Sequence, residues 1–331
     1  MVLSELAWAE LEECHPVVAS DLAREGLAIA EQVADPLATR IALSILSTAE
    51  MVLGRPSRKL VERGVALEGS AVAGETSWAA IAEGRQRLWA GDVRSARAAL
   101  MSALDRCLDQ GREAASWEII ANLAEVEFRS GRWDRAARYA GEALEIALDI
   151  GRRNVSGEIL AISAAIAAAM GHDEQARADG LEALSVSERA GDRWIELVAR
   201  SALGFLELSR GDAAAAHTWL APVAETCDEM GLREPGVFPF VPDAVEALIT
   251  LGEIDGAERL TDRLEEQGRD LDRALALATA GRCRALIAGA RGQLDVAADR
   301  LDRALVDHAR TEQPFETGRT LLVAGEVQRR M

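Results

Sequence analysis

The pattern of apolar and polar positions repeats about every 40 residues, and three small residues mark each repeat. A glycine stands in each repeat, with a small or apolar residue seven positions before it and an alanine five positions after it. No stretch alternates apolar and polar residues as a strand would. A repeat of this kind predicts stacked antiparallel helix pairs. The glycines are separated by 40, 40, 40, 41 and 40 residues: Gly91, Gly131, Gly171, Gly211, Gly252 and Gly292.

Each of these glycines is expected to end one helix in the left-handed conformation, and the return helix begins just after it. The flanking small residues, such as Ala124 and Ala136 around Gly131, would let the two helix axes approach to about 8–10 Å. The same register extends back to Gly54 and Cys14, although Lys59 and a shorter step of 37 residues to Gly91 depart from it. A second set of glycines should end return helices: Gly111, Gly151, Gly191 and Gly231.

The sequence therefore predicts an all-α fold, a right-handed α-solenoid of about eight antiparallel helix pairs spanning residues 1–331 as one elongated unit. The spacing of the small residues resembles the tetratricopeptide repeat, whose period is about 34 residues, so helices here should be longer. First helices are predicted near 37–53, 76–90, 114–130, 154–170, 193–210, 240–251 and 273–290. Return helices are predicted near 16–33, 57–70, 93–109, 133–149, 173–190, 213–229, 254–268 and 294–309.

One segment, 231–242, interrupts the pattern with three prolines and two glycines. Proline removes a backbone donor and disfavours helix in the residue before it, so a longer loop with exposed or docked aromatic residues is expected here. The loop could simply start a shortened helix at Pro242, or it could contact a ligand or another domain. It also marks a possible inflection of the solenoid.

Composition narrows the classes of function. The net charge of −18 argues against direct binding of DNA or RNA, which relies on clustered basic residues. The four cysteines are far apart and form no metal-type pair, so reduced core thiols are expected. Neither a signal peptide nor an apolar run of about 18 residues is present. These features predict a cytoplasmic protein that does not enter membranes.

No catalytic or metal site is predicted. The four histidines lie in or near different hairpins, and no pair has the spacing of a helical metal site. No serine lies in a nucleophile-elbow motif, and no phosphate-binding loop of the G-x-x-x-x-G-K-[ST] type occurs. We therefore expect no enzyme activity and no cofactor. The histidines are His15, His172, His217 and His308.

A binding role is more consistent with the repeats, because first helices should line a concave groove. Residues 13, 10, 9, 6, 3 or 2 positions before each turn glycine would face it. Their mixed charge suits a peptide, a sugar-like ligand or another domain; the alternative is that they are ordinary solvated residues with weak local ion pairs. The candidates are Arg85, Glu118, Asn122, Glu125, Arg129, Asp243, Glu246 and Arg282, with Arg319 further on.

Several strings in the C-terminal third resemble the helical region of large LuxR-type ATP-binding bacterial transcriptional regulators. They are Gly231-Leu232-Arg233-Glu234-Pro235-Gly236, Pro242-Asp243 with Glu246-Ala247-Leu248, Ala280-Gly281-Arg282-Cys283-Arg284, and Pro314-Phe315-Glu316 with Arg319-Thr320-Leu321-Leu322.

In that family the repeats follow an ATPase module and precede a helix-turn-helix domain, and in the maltose-regulon activator they bind a sugar inducer. The resemblance implies a sensor or signalling segment whose partners are an inducer and those two domains.

The alternative is a freestanding tetratricopeptide-like scaffold that binds protein segments. Both ends of the chain fall inside a hairpin of the repeat register. We expect the chain to belong to a larger protein, or its ends to be covered by another subunit in a homo-oligomer.

Overall fold

The computed structural model describes residues 1–68, 78–152 and 156–331. Within these ranges the chain forms α-helices and one 3₁₀ turn, Glu113–Ala115, and no strand. The α-helices are α1 Val2–Glu12, α2 Pro16–Gln32, α3 Pro36–Val52, α4 Arg58–Glu68, α5 Trp78–Trp89, α6 Val93–Asp109, α7 Trp117–Arg129, α8 Trp133–Asp149, α9 Ser156–Ala169, α10 Asp173–Ala190, α11 Arg193–Ser209, α12 Ala213–Glu229, α13 Val241–Leu251, α14 Ile254–Asp270, α15 Ala274–Ala290, α16 Leu294–His308 and α17 Pro314–Arg330.

The helices form eight successive hairpins, α1–α2 to α15–α16, followed by α17. The predicted all-α fold of stacked helix pairs is confirmed, and most helix ends lie within three residues of the predicted ones. Parts of three predicted helices, at 69–70, 76–77 and 154–155, lie outside the described residues.

The turn glycines have the left-handed backbone that the register requires. Their φ angles lie between 71° at Gly54 and 89° at Gly91. The same conformation continues where the register has no glycine, at Cys14 (φ 64°), Ala34 (φ 54°) and Asp272 (φ 51°). The repeat therefore dictates the backbone at these positions, and glycine is only its preferred occupant.

Close contact between helices explains the small residues. A Cβ atom on Gly204 would lie 2.4 Å from Cγ of Leu220, and one on Gly84 would lie 2.6 Å from Cγ of Leu100. Both leucines stand nine residues after a turn glycine, so a large side chain of the return helix packs against Gly84 and Gly204. Ala124, which holds the same position in its repeat as Gly84 and Gly204, is completely buried.

The solenoid coils back on itself, unlike the expected elongated form, in which repeats contact only their neighbours. Helix α1 contacts α11, and one apolar cluster joins residues from distant repeats. Cys14, Val52 and Trp89 of the first three hairpins pack in this cluster with Leu197 and Phe238. Apolar burial therefore stabilises contacts between repeats far apart in the sequence.

The Pro-rich segment between α12 and α13, here called the strap (231–240), forms much of this contact. The backbone amides of Arg233 and Glu234 both donate to the carbonyl oxygen of Val52, at 2.9 and 3.3 Å. Phe238 and Phe240 are 3% and 4% exposed. The strap thus docks its aromatic residues inside the coil, and it also leads into the short helix α13.

Candidate binding cavity

A cavity of about 230 Å³ lies at the centre of the coil. Its walls come mainly from the first helices of successive pairs, from α17 and from the strap, with further residues from the return helices α12 and α14. Most of its lining is apolar, as in sites that bind small molecules or apolar side chains. The apolar and aromatic lining includes Trp89, Phe128, Ile162, Trp194, Val198, Phe205, Phe238, Phe240, Leu264, Leu275 and Phe315.

The repeat register accounts for much of this wall. On α9 the lining residues Glu158, Ile162 and Ala165 stand 13, 9 and 6 positions before Gly171. The next first helix, α11, contributes the three residues at the same distances from Gly211: Val198, Ala202 and Phe205. First helices therefore line the inner face at the positions that the sequence assigns to the groove.

The strap closes one side of the cavity through aromatic and backbone contacts. The ring centroids of Trp194 and Phe238 are 4.7 Å apart, and those of Trp89 and Trp194 are 6.0 Å apart. A Cβ atom on Gly236 would lie only 2.1 Å from the carbonyl oxygen of Trp89, so the strap backbone touches α5 directly. Arg129 Nη1 donates to the carbonyl oxygen of Gly236 at 2.9 Å.

A group of charged residues, here called the N-terminal cluster (Arg85, Glu118, Glu158 and Asp192), lies at one end of the cavity. Arg85 donates to Glu158 Oε1 at 2.6 Å and to Asn122 Oδ1 at 2.7 Å. Burial raises the pKa of Glu118 to about 7; nearby Arg85 lowers it and Glu158 raises it further. One arginine thus serves several carboxyl groups.

Asp192 is the second carboxyl group of this cluster with a perturbed pKa. Its side chain caps α11 by accepting from the amide of Ile195 at 3.0 Å. Burial nevertheless raises its pKa to about 7, and the carboxylates of Glu12 and Glu158 add to the rise. Burial also raises the pKa of Glu12. The N-terminal cluster is therefore short of positive charge near neutral pH.

At the opposite end lies the C-terminal cluster (Asp243, Glu246, Arg282, Glu316 and Arg319), which joins α13, α15 and α17. Arg319 pairs with Asp243 and with Glu246, each at 2.7 Å, and Arg282 pairs with Glu316 at 2.8 Å. Burial alone would raise the pKa of Glu316, but Arg282 and Arg319 lower it to about 2. Two arginines here compensate Glu316 fully, whereas burial still raises the pKa of Asp243 to about 6 although Arg319 lowers it.

The structure places the sequence-predicted site residues in two groups. Four of them line the cavity: Arg85, Glu125, Arg129 and Asp243. Glu125 and Arg129 pair with each other at 2.5 Å. Glu118, Asn122, Glu246 and Arg282 lie behind this wall, and Arg282 is completely buried. That any of the eight contacts a ligand stays a prediction.

Sequence reasoning missed several lining residues. Glu158 and Phe205 stand 13 and 6 positions before their turn glycines, so the register itself could have identified them. Glu316 lies in the string that resembles LuxR-type regulators, beside Phe315. The strap residues follow no repeat, and only its prolines and aromatic residues indicated an unusual role.

Nucleophile, metal and membrane features add little. Burial raises the pKa of Cys14, Cys227 and Cys283 to about 12, so these thiols stay protonated near neutral pH. In the described ranges, one group of side chains is close enough together to hold a metal ion: Glu10, Glu13 and His15. Glu13 and His15 are exposed, however, and His15 pairs with Glu10 at 2.9 Å. No helix of the described chain is long and apolar enough to span a membrane.

Comparison with known proteins supports the fold. No family model matches the sequence, and neither does any curated protein. A Rap protein in complex with competence and sporulation factor is similar in structure, with a TM-score of 0.62 and 15% identity over 100% of this chain and 99% of that one.

Two further solved structures are more distant. Aspartyl phosphate phosphatase F from Bacillus subtilis has a TM-score of 0.49 and 14% identity over 98% of this chain and 92% of its own. A tetratricopeptide repeat protein from Parabacteroides merdae has a TM-score of 0.44 and 14% identity over 98% and 97%. The successive helical hairpins and the similarity to the Rap protein together show that the chain is a tetratricopeptide-like α-solenoid.

Proposed function

We propose that this chain is a non-catalytic binding protein whose central cavity holds an apolar group of a ligand or partner segment. The observation that carries the proposal is the cavity itself, which is lined by aromatic rings and bounded by two charged clusters. Apolar surface supplies binding free energy, and a few fixed polar groups orient the occupant. A peptide or protein segment is the favoured occupant.

The similar Rap protein supports this choice of occupant, because its structure holds competence and sporulation factor. The construction of the cavity also favours it: successive first helices present lining residues at a constant spacing, as an extended segment requires. The paired charges, such as Arg129 with Glu125, leave the polar lining largely satisfied. Side chains of the occupant would therefore enter an apolar space rather than a catalytic one.

A ligand could signal only by preferring one arrangement of the walls over another. The cavity offers such a preference, because its walls belong to repeats that are held together by the strap and by α17. An occupant that contacts both α9 and α15 would favour the closed coil. The same occupant would bind an opened coil more weakly, since half of its contacts would be lost.

A finer proposal is that the chain is the sensor segment of a LuxR-type regulator. Its support is that three of the four strings that carry the resemblance contribute residues to the cavity wall. Pro235 and Gly236, Asp243, and Phe315 with Glu316 all belong to its wall, although they span about 80 residues of sequence. Under this proposal the inducer would occupy the cavity, and ATPase and DNA-binding domains would read the state of the coil.

The binding proposal is tested by thermal unfolding in the presence of sugars, nucleotides, small metabolites and short apolar peptides. A specific ligand should raise the unfolding temperature according to mass action. Ala165→Trp, which fills the cavity, should abolish the rise. Ala214→Trp, on the exposed face of α12, should leave it intact. Equal responses of both variants would place the ligand outside the cavity.

The sensor and scaffold alternatives separate on the size of the native protein. An antibody against this chain should detect a band near 35.5 kDa in source cells if it is a freestanding scaffold. A much larger band, carrying peptides of an ATPase and a helix-turn-helix by mass spectrometry, would support the LuxR-type sensor. A larger band without such peptides would contradict it.

A further inference from the structure

A second concave surface lies on the outside of the coil, where the start of α17 faces α6 and the turn between α7 and α8. This crevice has a volume of about 600 Å³ and is open to solvent. One wall carries three arginines, and the other carries the first turns of α17. The lining residues include Arg94, Arg97 and Arg132 on one wall and Gln313, Gly318 and Leu321 on the other.

The crevice has an excess of positive charge in a chain of net charge −18. Glu127, which is completely buried, is shared by Arg97 at 2.7 Å and Arg132 at 3.4 Å. Arg94 forms an ion pair across the crevice with Glu312. Three guanidinium groups therefore face two carboxylates, and one positive charge is left without a counterpart.

Two further features point to an anionic occupant. The acidic residue in the first turn of α17, Glu316, is already paired with Arg282 at 2.8 Å, and the helix starts at the crevice without a side-chain cap from its N-cap residue. That residue, Gln313, is only 5% exposed, and its Nε2 atom has no hydrogen-bond partner within the described chain. A buried donor without a partner is unfavourable unless an acceptor reaches it.

We propose that this crevice binds a carboxylate group on an acidic segment of a protein partner. A single excess positive charge matches one carboxylate, whereas a phosphate group carries nearly two negative charges. Arg94 is largely exposed and could exchange Glu312 for an incoming carboxylate. Leu321 and Leu322 beside the crevice are 53% and 75% exposed, which favours an apolar residue next to the acidic one.

This site goes beyond the proposed function, because it lies on the outer surface and has its own lining. Among the residues that the structure describes, only Gln313 borders both the crevice and the cavity. The two sites can therefore fail independently: a cavity-filling substitution leaves the arginines in place, and a substitution in the crevice leaves the aromatic wall in place.

The test measures fluorescence anisotropy of a labelled short peptide of alternating leucine and glutamate. The wild-type chain should bind this peptide, and binding should weaken as salt is raised, because the arginines are near solvent. The matching leucine–glutamine peptide should bind about tenfold more weakly. Equal binding of the two peptides would overturn the proposal, and so would displacement by inorganic phosphate at concentrations where acetate has no effect.

Glycine 318 provides a matched pair of variants, because a Cβ atom there would meet nothing within 4 Å. Gly318→Glu places a negative charge in the crevice and should weaken peptide binding about tenfold. Gly318→Ala should bind as wild type, and so should Gly325→Glu, which adds the same charge further along α17. Binding unaffected by Gly318→Glu, or equally weakened by Gly325→Glu, would contradict a site in the crevice. Ala165→Trp should leave peptide binding unchanged.

Discussion

The two charged clusters at the ends of the cavity are both built from first helices of the repeat pairs, but they differ in the balance of positive and negative charge. In the N-terminal cluster Arg85 is the central arginine among Glu118, Glu158 and Asp192. In the C-terminal cluster Arg282 and Arg319 are interleaved with three carboxyl groups. The pKa of Glu118 is about 7 and that of Glu316 is about 2, while the pKa of Asp243 in the C-terminal cluster is about 6, because burial raises it more than Arg319 lowers it.

The different ratio of arginines to carboxyl groups gives the two charged parts of the inner face different properties. The C-terminal cluster is closed, because Arg282 has no exposure and its carboxylate partners are supplied by α13 and α17. The N-terminal cluster contains more carboxyl groups than its one arginine can compensate. Polar residues at groove positions can therefore form arginine-rich ion pairs at one end of a solenoid and a buried cluster with an excess of carboxyl groups at the other.

The largest expected effect on stability comes from removing an arginine of the C-terminal cluster. Arg282→Ala would leave Glu316 and Glu246 buried with too little positive charge, and should lower the free energy of unfolding by about 3–5 kcal/mol. Arg85→Ala should also destabilise the protein at pH 8, but its cost should fall toward pH 5, where the carboxyl groups that it leaves behind take up protons. Urea unfolding of both variants measures the difference.

The control is Arg291→Ala, which removes an exposed ion pair with Glu258 and should leave the free energy of unfolding nearly unchanged. If Arg85→Ala proves as costly as Arg282→Ala at every pH, the two clusters do not differ as described.

The next effect concerns the strap that holds the two ends of the cavity together. Gly236→Ala would force a Cβ atom into the carbonyl of Trp89, a backbone atom that cannot rotate away. We expect a loss of up to about 3 kcal/mol and a red shift of tryptophan emission, because Trp89 and Trp194 would lose their packing against the strap.

Gly141→Ala on α8 is the matched control. A Cβ atom there meets nothing within 4 Å, so alanine should stabilise the helix by about 0.5–1 kcal/mol. A Gly236→Ala variant that unfolds like the wild type, with unchanged emission, would show that the strap is not docked against α5.

The repeat could be read from the sequence because each mark has a local cause. Gly131 and Gly211 adopt a left-handed turn, and Gly204 makes room for Leu220; neither requirement depends on the rest of the molecule. The inner faces followed from the same register.

The partners of the inner residues could not be read in this way. Arg85 pairs with Glu158, and Arg319 pairs with Glu246, in each case 73 residues away. Those pairings depend on the pitch of the coil, which small rotations between successive hairpins set. The docking of the strap on α5 depends on the same pitch, so no local pattern indicates that Gly236 must be glycine.

The smallest expected effect is also the one most specific to the N-terminal cluster. The folded-state pKa of Glu118, about 7, lies above its usual 4.5, so the folded state binds the proton more tightly than the unfolded state. The ionised form therefore costs stability at pH 8, and this cost disappears as the pH falls from about 7 toward 4.5. Glu118→Gln should gain about 1–2 kcal/mol at pH 8 and little at pH 5.

Glu316→Gln should show the opposite sign. Its pKa of about 2 lies below 4.5, so its ionised form contributes stability that is present above pH 4.5 and is lost as the pH falls toward 2. Urea unfolding at several pH values from 5 to 8 compares the two variants. A Glu118→Gln effect that is constant across this range would mean that Glu118 does not titrate there, and the N-terminal cluster would then be as fully paired as the C-terminal one.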